Sequence, residues 1–230
     1  MIKRIAAAVL VLIMAACAAR HPRPVAPPLR APASLQSLPA PGEYPIDSSG
    51  SELRLLVYRA GPLRNLGHNH VMVNRAVSGR VQIGADASTS AFSLRLRADG
   101  FVVDDAQSRQ EEGGDFPGEI PEDAKAGTRR NLLSGAVLNA AEFPDITVKS
   151  TSLTGSLNAL NADLEISAAG HTSRMSVPLN LQGDAHRIIA SGSMALRQSA
   201  LGLVPYSLMH GALQVQDAMQ LKFKITVLTN

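Results

Sequence analysis

Alternation of apolar and polar positions is densest over residues 143–182. Ile146 and Val148 alternate with Thr147 and Lys149, Leu164 and Ile166 with Glu165 and Ser167, and Val177, Leu179 and Leu181 with Ser176, Asn180 and Gln182. A period of two gives an extended strand one dry face and one wet face. Gly155 with Asn158 and Asn161, and then Gly170 followed by His171, supply the reversals that predict an antiparallel three-strand meander. Such a meander has too little core to stand alone. The rest of the chain repeats the pattern in Leu53, Leu55 and Val57, in Val81 and Ile83, in Phe92, Leu94 and Leu96, in Met194 and Leu196, and in Leu221, Phe223, Ile225 and Val227. About eight amphipathic strands result. Closing them into an all-β, eight-stranded antiparallel barrel buries every dry face and removes free edges.

Residues 100–141 break this rhythm. Asp104, Asp105, Glu111, Glu112, Asp115, Glu119, Glu122 and Asp123 come first, and then Leu132, Leu133, Ala136 and Val137 recur at helical spacing. Pro121-Glu122-Asp123 is a helix entrance and Asn139 an exit, so the expectation is a solvated acidic loop followed by one short helix over an end of the barrel. The acidic run lacks the Asp/Asn-Gly spacing of a calcium loop.

The chain opens with Lys3 and Arg4, an apolar run from Ile5 to Met14, and Ala15-Ala16-Cys17. That is the length and order of an export signal rather than of a membrane span. Met14-Ala15-Ala16-Cys17 resembles a bacterial lipobox, which implies cleavage after residue 16 and lipidation of Cys17. An ordinary secretory signal with an incidental cysteine is the alternative. Seven prolines between residues 22 and 41 read as an extended tether. The expected division is a signal at 1–16, an anchor and tether at 17–41, and one barrel domain at 42–230. Ala18 after the cysteine is compatible with sorting to the outer membrane.

Composition removes several function classes. The balance of 22 basic to 19 acidic residues includes Lys3 and Arg4 of the signal, so the mature chain is nearly neutral, and Trp is absent. A nucleic-acid partner, which would want a basic footprint and stacking aromatics, is therefore not expected. Cys17 is the sole cysteine, which excludes a disulfide framework and a cysteine metal cluster. Neither a Gly-x-Ser-x-Gly elbow nor a glycine-rich phosphate loop is present, and no cofactor is expected.

Several short motifs together resemble the YceI-like family: Gly42-Glu43-Tyr44-Pro45-Ile46-Asp47, Ala141-Glu142-Phe143-Pro144-Asp145-Ile146 with Ser150, Leu164-Glu165-Ile166 through His171-Thr172 to Val177, and Leu201-Gly202-Leu203 through Val215-Gln216-Asp217 to Leu221. The resemblance implies an extended lipocalin-like barrel in the periplasm, with a hydrophobic tunnel for an isoprenoid or other long-chain amphiphile. The chain departs from the family pattern in two places. An Arg-Asp pair with a nearby His is missing from residues 106–115, and Leu66-Gly67-His68-Asn69-His70 brings in two histidines.

An eight-stranded barrel is wide enough either to fill with its own side chains or to hold one slender ligand. The expected tunnel lining is Leu94, Leu96, Ile146, Val148, Leu164, Ile166, Val177, Leu179, Leu196 and Phe223, with His68 and His70 near an opening and Tyr206 and His210 as further mouth residues. His68 and His70 could chelate a metal if His171, His186 or His210 joined them, or could bind an acidic headgroup. Three functions stay open: a carrier of a hydrophobic ligand held on the membrane through Cys17, a metal-binding protein or metal-dependent enzyme built on the two histidines, and an envelope protein with a packed barrel. A homodimer is a possible assembly.

Overall fold

The computed structural model describes residues 34–184 and 186–229. The expected signal, Cys17 and most of the tether lie outside these residues. In chain order the strands are β1 (Gly42–Ala60), β2 (His70–Asn74), β3 (Val77–Ile83), β4 (Ala91–Arg97) and β5 (Phe101–Val103), then β6 (Asp145–Ser156), β7 (Ala159–Ala168), β8 (His171–Gly183), β9 (Arg187–Arg197), β10 (Ser207–Leu208) and β11 (Leu213–Leu228). Helices α1 (Ala106–Glu112) and α2 (Glu122–Leu133) lie between β5 and β6.

Eight strands close a barrel in the order β1-β3-β4-β6-β7-β8-β9-β11, and β11 returns to β1. Neighbours around the barrel are antiparallel. These eight are the runs whose alternation predicted strands. β2, β5 and β10 are too short to show a period; β2 pairs with β1 and β5 with β2 where β3 and β4 leave off, and β10 pairs with the start of β11. β1 shifts register between Asp47 and Glu52; its first residues pair with β3, and Leu53 to Val57 pair with β2. At the β2–β3 break the fully buried Asn74 side chain replaces ladder hydrogen bonds, accepting from Ala76 N–H and donating to the Arg97 carbonyl.

The wall alternates as an amphipathic strand should. Leu53, Leu55 and Val57 face the lumen, while Leu56 faces out into a separate cluster with Val71, Val73 and Phe116. Phe223 lies over Gly192, directly opposite it in the β9–β11 register, where any larger residue would displace the ring. Ala169 and Gly170 form a two-residue turn with both φ positive, the conformation that suits a β hairpin. Asn161, expected in a turn, instead sits in β7 opposite Thr154. One end of the barrel is packed with Leu35, Ile83, Ile188 and Val227, and Leu35 N–H donates to the Leu181 carbonyl.

The acidic stretch differs from expectation. Residues 106–112 form a helix, so the insertion holds two helices instead of one, while residues 113–121 with exposed Asp115 and Glu119 keep the expected loop. Asp105 caps α1 by accepting from Ser108 N–H at 3.0 Å, and Gly113 ends it with φ +68°. Arg54 on the outer face of β1 binds Glu52, Glu111 and Glu112, and Glu112 also meets Lys222. Burial disfavours the Arg54 cation, but these three carboxylates outweigh it and raise its pKa. Glu111 and Glu112, which read as part of a solvated charge run, are thus tied to cations on the barrel. α2 begins at Glu122 behind Pro121 as expected but stops at Leu133, before Asn139.

Gly79 has φ +144°, and a Cβ there would collide with the Ser93 carbonyl oxygen across the β3–β4 ladder. Gly79→Ala is expected to lower stability by roughly 1–3 kcal/mol, read as a fall in the urea midpoint at unchanged slope.

Candidate functional site: the barrel lumen and its polar end

The lumen is a cavity of about 470 Å³ that runs from Leu38, Ile83, Ile188 and Val227 at one end to Leu132, Leu201, Leu203 and Leu213 at the other. That volume lies in the range of small-molecule sites, about 300–1,000 Å³. Its wall is overwhelmingly aliphatic. The ten apolar residues expected from alternation, Leu94, Leu96, Ile146, Val148, Leu164, Ile166, Val177, Leu179, Leu196 and Phe223, all line it.

Polar lining residues collect at one end. Arg59, His68, His70, Gln198, Tyr206 and Gln214 stand where β1 finishes and β11 begins, with Thr128 and Asn131 of α2, whereas Ser90 is the polar lining residue at the other end. No carboxylate is among the lining residues described. The exposed lining residues His68, Leu208 and Gln214 also stand at this polar end, so the lumen meets solvent there. His210, expected at the mouth, is exposed and does not line the cavity. It belongs to a short turn in which Met209 and His210 both take left-handed backbone angles.

His70 is fixed from behind. Its Nδ1 lies 2.7 Å from Asp104 Oδ2, while Asp104 Oδ1 accepts from Val71 N–H at 2.9 Å and from Arg109 Nη1 at 2.6 Å. Asp104 is 0% exposed and Arg109 4%. Arg109 also donates to the carbonyls of Asn69, Pro117 and Gly118, which ties α1 and its following loop to β2. Burial opposes the Asp104 charge, but the hydrogen bonds from His70, Val71 and Arg109 outweigh it and hold the carboxyl below the ordinary aspartate value. An ionised carboxylate only accepts, so the Nδ1 facing it carries a proton and Nε2 is left for a bound molecule. Arg59 donates to the Gly67 carbonyl at 2.7 Å and shapes the loop that carries His68.

The His68 and His70 rings stand edge-on with centroids 6.3 Å apart. His186 lies in the β8–β9 turn at the opposite end of the barrel, and His171 packs against Gly202. Among the described residues no group of three His, Cys, Asp or Glu side chains converges to hold a metal.

The sequence profile of the YceI-like domain matches residues 44–227. The chain belongs to the YceI-like domain family. Solved structures similar to it include Burkholderia cenocepacia BcnA, at 14% identity and TM-score 0.58, covering 79% of this chain and 98% of that one. A polyisoprenoid-binding domain from Saccharophagus degradans, implicated in plant cell wall breakdown, aligns at 12% identity and TM-score 0.52, over 81% and 98% of the two chains. A mutant Campylobacter jejuni YceI protein aligns at 10% identity and TM-score 0.50, over 69% and 84%. These likenesses establish the fold. No curated protein matches the sequence.

Sequence reasoning did not identify Arg59, Asn131, Gln198, Asp104 or Arg109 as part of this end. Asp104 was visible only as one acid in a charged run. Its φ of +55° and its three hydrogen bonds exist only once β2 and β5 are side by side.

Asp104→Asn leaves Arg109 buried without its counter-charge and should cost roughly 3 kcal/mol at neutral pH. The folded carboxyl titrates below its unfolded value of about 3.9, so its contribution is present above that pH and is lost as the pH falls through the folded value. Urea unfolding as a function of pH should therefore show the gap between wild type and Asp104→Asn narrowing below about pH 4.

Proposed function

We propose that this protein binds and carries a long-chain amphiphile, isoprenoid-like or another lipid, in the barrel interior. It does so as a lipoprotein held by Cys17 on the periplasmic face of a bacterial membrane, the outer membrane being the favoured site. The observation that carries the reading is the aliphatic lumen with its polar groups confined to one end. An alkyl chain there is removed from water at about 0.8 kcal/mol per methylene. A polar head at the other extreme of the same molecule would meet His68, His70, Arg59, Asn131, Gln198 and Tyr206, so the amphiphile enters tail first. The similar Saccharophagus degradans domain, described as polyisoprenoid-binding, supports the same class of ligand. The role is one of binding rather than catalysis. The two histidines are assigned to the ligand's head rather than to a metal.

Native mass spectrometry of the chain from Ser34 onward, purified without detergent, is expected to show a co-purifying long-chain species released on denaturation, and it reports any dimer at the same time. Ala190 lines the lumen, and Ala190→Trp fills part of it. That variant should lose the bound species while unfolding cooperatively, at an overpacking cost of about 1–3 kcal/mol. Retention of the species by Ala190→Trp would place it outside the barrel and remove the proposal.

A further inference from the structure

Four of the six exposed large apolar side chains among the described residues stand at the polar end of the lumen: Leu66 is 72% exposed, Val204 72%, Met209 66% and Leu208 43%. The other two are Val102 on β5 and Leu228 at the end of β11. They come from two loops, β1–β2 and β9–β11, which are joined by a hydrogen bond from Leu63 N–H to the Ala212 carbonyl at 2.8 Å and by the Leu213 side chain lying against Gly67. Val215 N–H donates to the Tyr206 carbonyl and holds the second loop beside the opening. Leu208 both lines the cavity and faces solvent, so apolar surface runs unbroken from the lumen wall to the outside. Met209 and His210 have φ of +52° and +56°, a region that residues with a side chain rarely occupy, and Met209 is held outward by that turn.

The two loops carry arginines and histidines. Residues 59–70 and 198–216 contain Arg59, Arg64, His68, His70 and His210 and no Asp or Glu; the acids at their edges are Asp217, bonded to Ser199 and Arg197, and Asp115, whose carbonyl accepts from Asn69. The described structure shows no ion pair to Arg59 or Arg64.

We infer that this rim is a docking surface for an anionic lipid bilayer. Leu66, Val204, Leu208 and Met209 enter the acyl region while the arginines remain at the level of the phosphates, as interfacial apolar and cationic groups do. Docked this way, the polar mouth faces the bilayer, and an amphiphile slides between membrane and lumen without crossing water. The inference rests on reading the lumen as an amphiphile site. A bilayer fits better than a protein partner because the apolar tips project from separate loops around an opening that itself accepts lipid, and because the cations among them match acidic headgroups.

The chain has no tryptophan, so Met209→Trp or Leu66→Trp introduces a sole emitter. Ala85→Trp, in the exposed β3–β4 loop at the far end of the barrel, serves as the control. The full 230-residue chain is mixed with phosphatidylethanolamine–phosphatidylglycerol vesicles whose acyl chains carry bromine, a short-range quencher. Met209→Trp and Leu66→Trp should each lose most of their emission while Ala85→Trp keeps its own, and the loss should shrink several-fold on zwitterionic vesicles. Equal quenching of all three variants would mean that the N-terminal segment alone brings the protein to the membrane, which overturns the docking surface. No quenching at either rim position overturns it as well. So does a rim emitter that shifts to the blue with protein concentration but not with vesicles, which would assign the rim to a second copy of this chain. Transfer of a fluorescent polyprenol between vesicles separates the two readings. Transfer with unquenched rim emitters leaves the carrier standing and removes the docking surface, whereas quenching without transfer does the reverse.

Discussion

β1 is paired along both edges, with β11 on one side and with β3 and then β2 on the other, and this double pairing closes the barrel. Each strand of the barrel turns an apolar face to the lumen, and an open sheet of such strands would leave that face and two edges of unpaired amides in water. Closure satisfies the edges and turns the dry faces inward. It also sets the lumen, because the diameter follows from strand number. The aliphatic side chains that point inward do not fill it, and about 470 Å³ remains. The capacity to hold a long apolar molecule is therefore a by-product of closing eight amphipathic strands with few aromatics among them.

The two ends of this tube are built differently. At one, Leu35 and Leu38 from the segment before β1 pack beside Ile83, Ile188 and Val227, and the lining is almost wholly apolar. At the other, loops and α2 bring histidine, arginine and amide groups to the opening, and the His70–Asp104–Arg109 chain of hydrogen bonds holds one imidazole in a set orientation. A buried charge pair of this kind is costly to desolvate and contributes little net stability unless every partner is present. Here Asp104 is fully bonded, and the network joins α1, β2 and the start of the insertion to the residue that faces the lumen. In the proposed reading, the polarity of the tube orients an amphiphile and the apolar rim around the same end gives it a route to a membrane.

Periodicity in the sequence specified the barrel wall residue by residue. The ten apolar residues assigned to the inner face all line the lumen, because a side chain's face follows from its parity within a strand and needs no knowledge of its neighbours. Turn chemistry was legible at Gly170, where a hairpin demands positive φ, but not at Asn161, whose turn preference was overridden by pairing with Thr154. The expected export signal and the lipobox-like motif are local patterns too, and they lie outside the described residues.

What the sequence could not determine is what depends on distance across the fold. An acidic run looks the same whether it faces water or a cation, and only the placement of Arg54 on the outer face of β1 turned Glu111 and Glu112 into partners of a half-buried network. His68 and His70 were conspicuous in the sequence, yet the setting of His70 came from Asp104 and Arg109, which β2–β5 pairing and α1 bring behind it. His210, equally visible, was carried away from the lumen by a left-handed turn. Alternation encodes a local direction, inward or outward, and so it reads directly. A polar site is made of groups far apart in the chain, and only barrel closure decides which of them meet.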